Sequence, residues 1–346
     1  MKSMLVLYRE LAGYFMNVMD YLAENHQVKI DIIAYPIAAE APFRFENSGK
    51  IRIFKRQEMD NASIQKLIDE NNYDLIFCGG WSDEGYIQIV KNNKSIPSLI
   101  GFDKQWLGST KDQLATLYLR WKVKPHFNFA FVPGMQQKKF AMKMGFKSEE
   151  VHMGAYVGES ARFESVFQKR LASNQVKKKI FFVGRYAPEK NIQRLWQAFT
   201  EWKGRSSNEW ELHCIGTGVL WEQRPDNSFI FHHGFLQGDA LLNTIEDGAV
   251  FILPSHYEPW GVVVNEFAQS GYALALTPAI GAATYFNTPK NCWMFEASSS
   301  ENFIELFERI NATSTEQLLA MGVESHKLAA DLNEEQYAQS ILKMMK

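Results

Sequence analysis

Cysteine is scarce: Cys78, Cys214 and Cys292 are the only 3 in 346 residues, and each lies inside an apolar, strand-like run. So few thiols in such surroundings exclude a disulfide framework and a cysteine-built zinc site, and they suit a reducing cytoplasm. Long apolar runs are missing as well; near the N-terminus Met4–Tyr8 is too short for a membrane span or a signal peptide. Neither sign of charge dominates, because 37 Lys and Arg stand against 39 Asp and Glu. That balance argues against a general nucleic-acid binder. Internal repeats and low-complexity tracts are absent. So is a dinucleotide fingerprint: the loop Arg9–Gly13 has no glycine cluster, and Gly216–Thr217–Gly218 lacks its third glycine because position 221 is Trp221. The paired His232 and His233 have no third ligand at metal-like spacing, so no metal site is expected.

What is present is length and alternation. A chain of 346 residues exceeds one core, so two domains are expected. Strands are predicted at Met4–Tyr8, Lys29–Tyr35, Ile51–Lys55, Leu75–Trp81, Ser98–Phe102 and Phe129–Val132. Helices at Phe15–Glu24 and Ser63–Asn71 fall between them, which predicts a doubly wound parallel sheet. A second series starts at Ile180–Val183, followed by a helix over Ile192–Trp202 and strands at Leu212–Ile215, Phe229–Phe231, Ala249–Pro254 and Tyr272–Leu276. A last helix is predicted over Glu334–Met345.

Ser255–Glu266 is the most informative stretch. It leaves one strand and enters a helix, Gly261–Ser270, that Gly271 stops. Open α/β sheets bind ligands at such strand ends. From Pro259 to Pro289 the only charged residue is Glu266, set among apolar neighbours. Burying a carboxylate there costs several kcal/mol unless donors or a cation meet it. A sugar or ribose diol is one solution and a distant Arg or Lys is another; spacing does not choose between them. Glu258 lies in the loop before the helix, where the N–H groups of Gly261, Val262 and Val263 offer an anion site. Pro259 removes a competing N–H, and Gly261 permits close approach of a ligand. In Gly184–Lys190, the cations Arg185 and Lys190 stand at a strand end and suit a diphosphate. Alone they would read as partners of Glu189 or of surface acids; beside the Glu258–Glu266 loop the phosphate reading prevails.

Glu258 and Glu266, embedded as EPWGVVVNE, resemble the two-glutamate signature of glycosyltransferase family 4, whose members are retaining and use nucleotide sugars. Gly184–Lys190 looks like that family's phosphate-binding element. The resemblance runs from about Phe129 to the C-terminus and is specific in segments 184–190 and 254–271. It implies the GT-B fold, two Rossmann-like doubly wound domains facing a cleft. Residues 1–158 would bind the acceptor, 159–331 the nucleotide sugar, and 332–346 would form a helix packing back on the first domain. Val151–Gly158 resembles the crossover, and its small residues also suit a hinge.

The implied reaction is metal-independent, retaining transfer of a hexosyl group, with the nucleotide-diphosphate sugar as co-substrate and no cofactor. The acceptor would be a glycan or a lipid-linked glycan in cell-surface polysaccharide or glycoconjugate synthesis. Arg185 and Lys190 would stabilise the leaving diphosphate. Glu266 would hold the ribose diol and Glu258 the donor-sugar hydroxyls, with Gly184, Trp260, Gly261, Val262 and Val263 completing the donor side. Gly234 and Phe235 lie in the loop that passes the base, and Thr277–Ala283 suits a sugar-pocket wall. No side chain reads as a covalent nucleophile. Another GT-B chemistry, such as nucleotide-sugar epimerisation, and a non-catalytic nucleotide-sugar-binding subunit are the alternatives.

On the acceptor side the candidates are Gly13, Trp81, Asp103 and Trp106. Asp103 stands where the family often carries a histidine that contacts the donor sugar. It reads as a carboxylate near the reacting centre or as a cap for a helix starting at Thr110. From Lys104 to Lys147 there are 9 Lys or Arg against one acid, Asp112, interleaved with Tyr118, Trp121, Phe127 and Phe129. Such a face suits anionic lipid or a lipid-pyrophosphate acceptor, which would bring a cytoplasmic protein to the inner face of the membrane. A solvated helix face over core aromatics is the other reading.

Overall fold

Runs such as Leu5–Leu7, Ile76–Cys78 and Phe251–Leu253 are apolar at successive positions, not alternate ones, and their residues are buried. Strands covered on both faces need that composition, and helix-layered parallel sheets provide the cover. The computed structural model describes residues 1–36 and 49–345. It divides the chain into two units, Met1–Val157 with Leu332–Lys346, and Gly158–Asp331.

The first unit contains β1 (Ser3–Tyr8), β2 (Lys29–Ala34), β3 (Ile51–Lys55), β4 (Leu75–Gly79), β5 (Ser98–Gly101), β6 (Phe129–Val132) and β7 (Val151–Met153). They form a parallel sheet in the order β3-β2-β1-β4-β5-β6-β7. The order reverses between β1 and β4, where doubly wound sheets open a ligand crevice. Val151–Met153, expected within the crossover, is the edge strand, with His152 opposite Phe131. Helix Glu334–Leu342 belongs to this unit: Tyr337 meets Phe131 edge-on at 4.7 Å, and Asn17 donates to Glu334 at 2.9 Å. In β2 the fully buried Asp31 accepts two bonds from Arg52, at 2.7 and 2.6 Å, and one from the Tyr73 hydroxyl. A charge can stay in a core when its lone pairs are met in this way.

The second unit contains β8 (Lys179–Val183), β9 (Glu211–Ile215), β10 (Ile230–His232), β11 (Val250–Leu253), β12 (Ala273–Leu276) and β13 (Cys292–Met294). Its parallel order is β10-β9-β8-β11-β12-β13, with Ile180 opposite Val250 and Phe181 opposite Phe251. The reversal between β8 and β11 therefore sets the loops that follow those two strands side by side. All three cysteines are unpaired and buried. Burial pushes the Cys214 and Cys292 thiols up to about 12 and Cys78 higher still, so none is a ready nucleophile.

Candidate functional site

The loop after β8 is fixed by its neighbours. Gly184 N–H donates to Ile215 at 3.0 Å and Tyr186 N–H to Thr217 at 2.9 Å. Gly216 has φ +136°, and a Cβ on it would run into the Gly184 carbonyl. The Gly216–Gly218 turn thus supports the β8 loop, which explains its glycines without a nucleotide. Asn191, left-handed at φ 56°, ends the loop and donates to the Ala297 carbonyl at 2.8 Å. Lys190, just before it, forms an ion pair with Glu258 in which the side chains are 14% and 13% exposed. Arg185 is 63% exposed and reaches Glu189 at 3.2 Å. The bland pairing is therefore present, but an exposed pair is worth only about 0.2–1 kcal/mol, so a diphosphate would compete with it readily.

The loop after β11 is equally constrained. His256 N–H donates to the Glu189 carbonyl at 2.9 Å, which ties the two loops together. Glu258 donates its N–H to Ala279 at 3.2 Å and accepts from Gly281 at 3.0 Å. The Trp260 indole is buried and edge-on to Tyr285 at 5.6 Å; it anchors the loop instead of facing outward. Gly261, at φ +90°, turns the chain into helix Val262–Gln269, which has no side-chain cap. Val262 and Val263 are part-exposed, and their N–H groups meet no acceptor among the described residues. Such donors, at the positive end of the helix, attract an anion. Gly271 closes the helix at φ +73°, and its carbonyl accepts from the buried Arg170 at 3.0 Å.

Glu266 lies on this helix, part-buried. Among the described residues nothing pairs with or donates to its carboxylate, so the distant cation that spacing allowed is not there. Burial, with Glu159 adding to it, pushes its pKa up to about 7. Ser255, at the end of β11, has a buried hydroxyl without a partner among the described residues. The sequence offers no signal for it, since a serine after a strand is commonplace. Gly234 accepts from Gly216 N–H at 2.7 Å and Phe235 is 40% exposed in the same loop. The nearby histidines are engaged: His213 bridges His233 and Glu211 at 2.9 Å each, and His232 meets the Tyr186 hydroxyl at 2.9 Å.

In the first unit a cavity of about 340 Å³ opens at the carboxyl ends of β1, β4 and β5. Its walls include Tyr8, Arg9, Glu10, Tyr14, Trp81, Asp103, Lys104 and Tyr156. A Cβ on Gly79 would enter the Tyr8 ring, so glycine there seats the tyrosine. Burial, with the Asp103 charge adding to it, raises the hydroxyl pKa values of Tyr8, Tyr14 and Tyr156, leaving them neutral. Asp103 is not the cap of helix Thr110–Lys122: Ser109 is, accepting from Asp112 N–H at 3.1 Å. Trp81 stacks on Phe140 with centroids 6.2 Å apart, and Trp106 contacts the same ring at 6.4 Å. Gly13 begins helix Gly13–Asn25, and neither it nor Trp106 lines the cavity. The tyrosines escape sequence reasoning, and Lys104 reads only as the start of the basic run, because each looks like part of a strand end or loop until the β1–β4–β5 order gathers them.

Residues 164–323 match the family model of glycosyl transferases group 1. An uncharacterized glycosyltransferase of Methanocaldococcus jannaschii is 26% identical over 122 residues, 33% of this chain and 31% of that relative. Among solved structures, HepE of Anabaena in complex with UDP and glucose has a TM-score of 0.72 over 99% of both chains, at 12% identity. Sucrose-phosphate synthase from Thermosynechococcus elongatus has a TM-score of 0.72 at 15% identity, over 99% of this chain and 98% of that one. The fold is GT-B, two parallel-sheet Rossmann-like units.

Proposed function

We propose that the protein is a retaining, metal-independent glycosyltransferase of the family 4 type. It moves a hexosyl group from a nucleotide-diphosphate sugar to a glycan or lipid-linked acceptor, in the cytoplasm. The observation that carries this reading is Glu266, a part-buried carboxylate without a partner among the described residues, on the helix whose uncapped start adjoins Glu258 and Lys190. A ribose diol supplies the donors that Glu266 lacks, and the helix start with Arg185 and Lys190 takes the diphosphate. Charge that develops on the leaving diphosphate is then met by preorganised cations, and stabilisation of that kind usually contributes most to the rate of such a reaction. Glu258 orients Lys190 and receives donor-sugar hydroxyls. The tyrosine-walled cavity with Asp103 and Trp81 serves the acceptor.

The test is a thermal-shift series with nucleoside diphosphates and their sugar conjugates. HepE was solved with UDP, so uridine nucleotides come first. A ligand that binds only the folded protein raises its midpoint, by RT ln(1 + [L]/Kd) in free energy. One nucleotide series should shift the wild type and fail to shift Glu266→Leu; no shift with any nucleotide would sink the reading.

A further inference from the structure

Helix Thr110–Lys122 is turned inside out. Its inward residues are Asp112, Thr116 and Leu119, while Leu114, Leu117, Tyr118 and Trp121 are 69%, 55%, 61% and 74% exposed. These four stand at i, i+3, i+4 and i+7, one continuous stripe along the helix. Stripes of that spacing ordinarily face a core, and large apolar residues left out together mark an interaction surface. Lys111 and Lys122 flank the stripe on one side and Arg120 on the other, all exposed. The helix's single acid, Asp112, is buried and paired with Lys104 at 3.3 Å. Leu107, in the loop leading from Asp103 to this helix, is 59% exposed.

We propose that this face docks on an anionic lipid bilayer, with Leu114, Leu117, Tyr118 and Trp121 entering the interface and Lys111, Arg120 and Lys122 meeting headgroup phosphates. Tyrosine and tryptophan prefer the headgroup boundary, and cations beside an apolar stripe select anionic lipid. A second copy is a poor occupant, because an isologous dimer through this face would set each cation against its own kind with no acid to offset it. An apolar face on the convex side of an exposed helix also needs no complementary groove when it meets lipid. Charge counting along the chain supports electrostatic attraction alone; the outward stripe adds insertion, and it does not depend on the glycosyl-transfer reading. No described helix is long and apolar enough to cross a membrane, and the attachment proposed is peripheral.

The test is co-sedimentation of the full chain with phosphatidylcholine vesicles, with and without phosphatidylglycerol. Binding should require phosphatidylglycerol, weaken with salt, and fall roughly tenfold or more in Leu117→Gln/Trp121→Gln, with the circular dichroism spectrum unchanged. A polarity-sensitive dye on Leu117→Cys should shift to the blue on vesicles; the native thiols are buried and will not compete for it. Failure to sediment, equal binding to neutral vesicles, an undiminished double variant, or self-association in sedimentation velocity that the double variant abolishes would each overturn the proposal.

Discussion

Gly158 lies against the carboxylate of Glu266: a Cβ on residue 158 would fall 2.6 Å from Oε1 and 3.0 Å from Cγ. The glycine is therefore the wall that sets where this carboxyl points. Gly158→Ala should displace Glu266 while leaving the fold intact, because the obstacle is a side chain able to swing. Losing one charged hydrogen bond to the ribose costs about 1.4 kcal/mol or more, so the donor KM should rise roughly tenfold. The turnover number should hold, since a ribose contact binds ground and transition states alike. An unchanged KM would separate Glu266 from the donor.

Arg185→Ala should lower turnover by roughly a hundredfold, the scale of losing one preorganised donor to developing charge. Glu189→Gln removes only an exposed partner at 3.2 Å and should leave turnover near normal. Steady-state rates of the two variants decide the matter; equal effects would make the pair structural. On the proposed reading cations and helix N–H groups carry the diphosphate, so turnover should also persist in excess chelator. Loss of activity restored by magnesium or manganese would refute that.

Glu266 is an acid whose pKa rises from 4.5 to about 7 on folding. The folded, ligand-free protein therefore holds a proton that the unfolded chain has released, and stability falls as pH rises from about 4.5 to 7. At 1.36 kcal/mol per unit, discounted for partial solvent access, the loss is on the order of 2 kcal/mol. Glu266→Gln carries no such penalty. Its midpoint without ligand should match the wild type near pH 4.5 and exceed it above pH 7. A difference that is constant across that range would show the carboxyl to be well solvated.

In the first unit, Arg52→Ala strands the buried Asp31 with the Tyr73 hydroxyl alone. Removing one partner of a buried pair costs about 3–5 kcal/mol; with Arg52 43% exposed, about 2–3 is expected. Urea unfolding should show it, and Asp31→Asn/Arg52→Leu should recover part of the loss.

Legibility followed the apolar runs. Strands such as Phe129–Val132, and the helix stopped by Gly271, could be read because burial on both faces and a left-handed glycine leave marks in composition. Val151–Met153 and Cys292–Met294 were harder, since three residues are too few to show a pattern. In the candidate site the charged positions stood out, Glu258, Glu266, Arg185 and Lys190 among them. Their pairing did not: that Lys190 takes Glu258 while Arg185 takes Glu189 depends on β8 lying beside β11. Trp260 is named on the donor side by resemblance alone; that its ring is spent inside the unit depends on Tyr285, which sequence does not place beside it. Tyr156 meets Tyr8 and Tyr14 only in space, from the far end of the segment Met1–Val157.

The first unit is assembled from two separated pieces, with Gly158–Asp331 inserted between them. During synthesis every strand of the second unit is made before Leu332–Lys346 exists. The ring of Phe131 must therefore wait for Tyr337, and Asn17 for Glu334. The inserted unit can complete its own sheet in that interval, whereas the earlier one is left with an uncovered seam until the returning segment emerges. The unit that appears first is thus the last to be completed. A chain released after residue 331 would carry a complete second unit tethered to an unfinished first one, a state that chaperones and proteases can recognise.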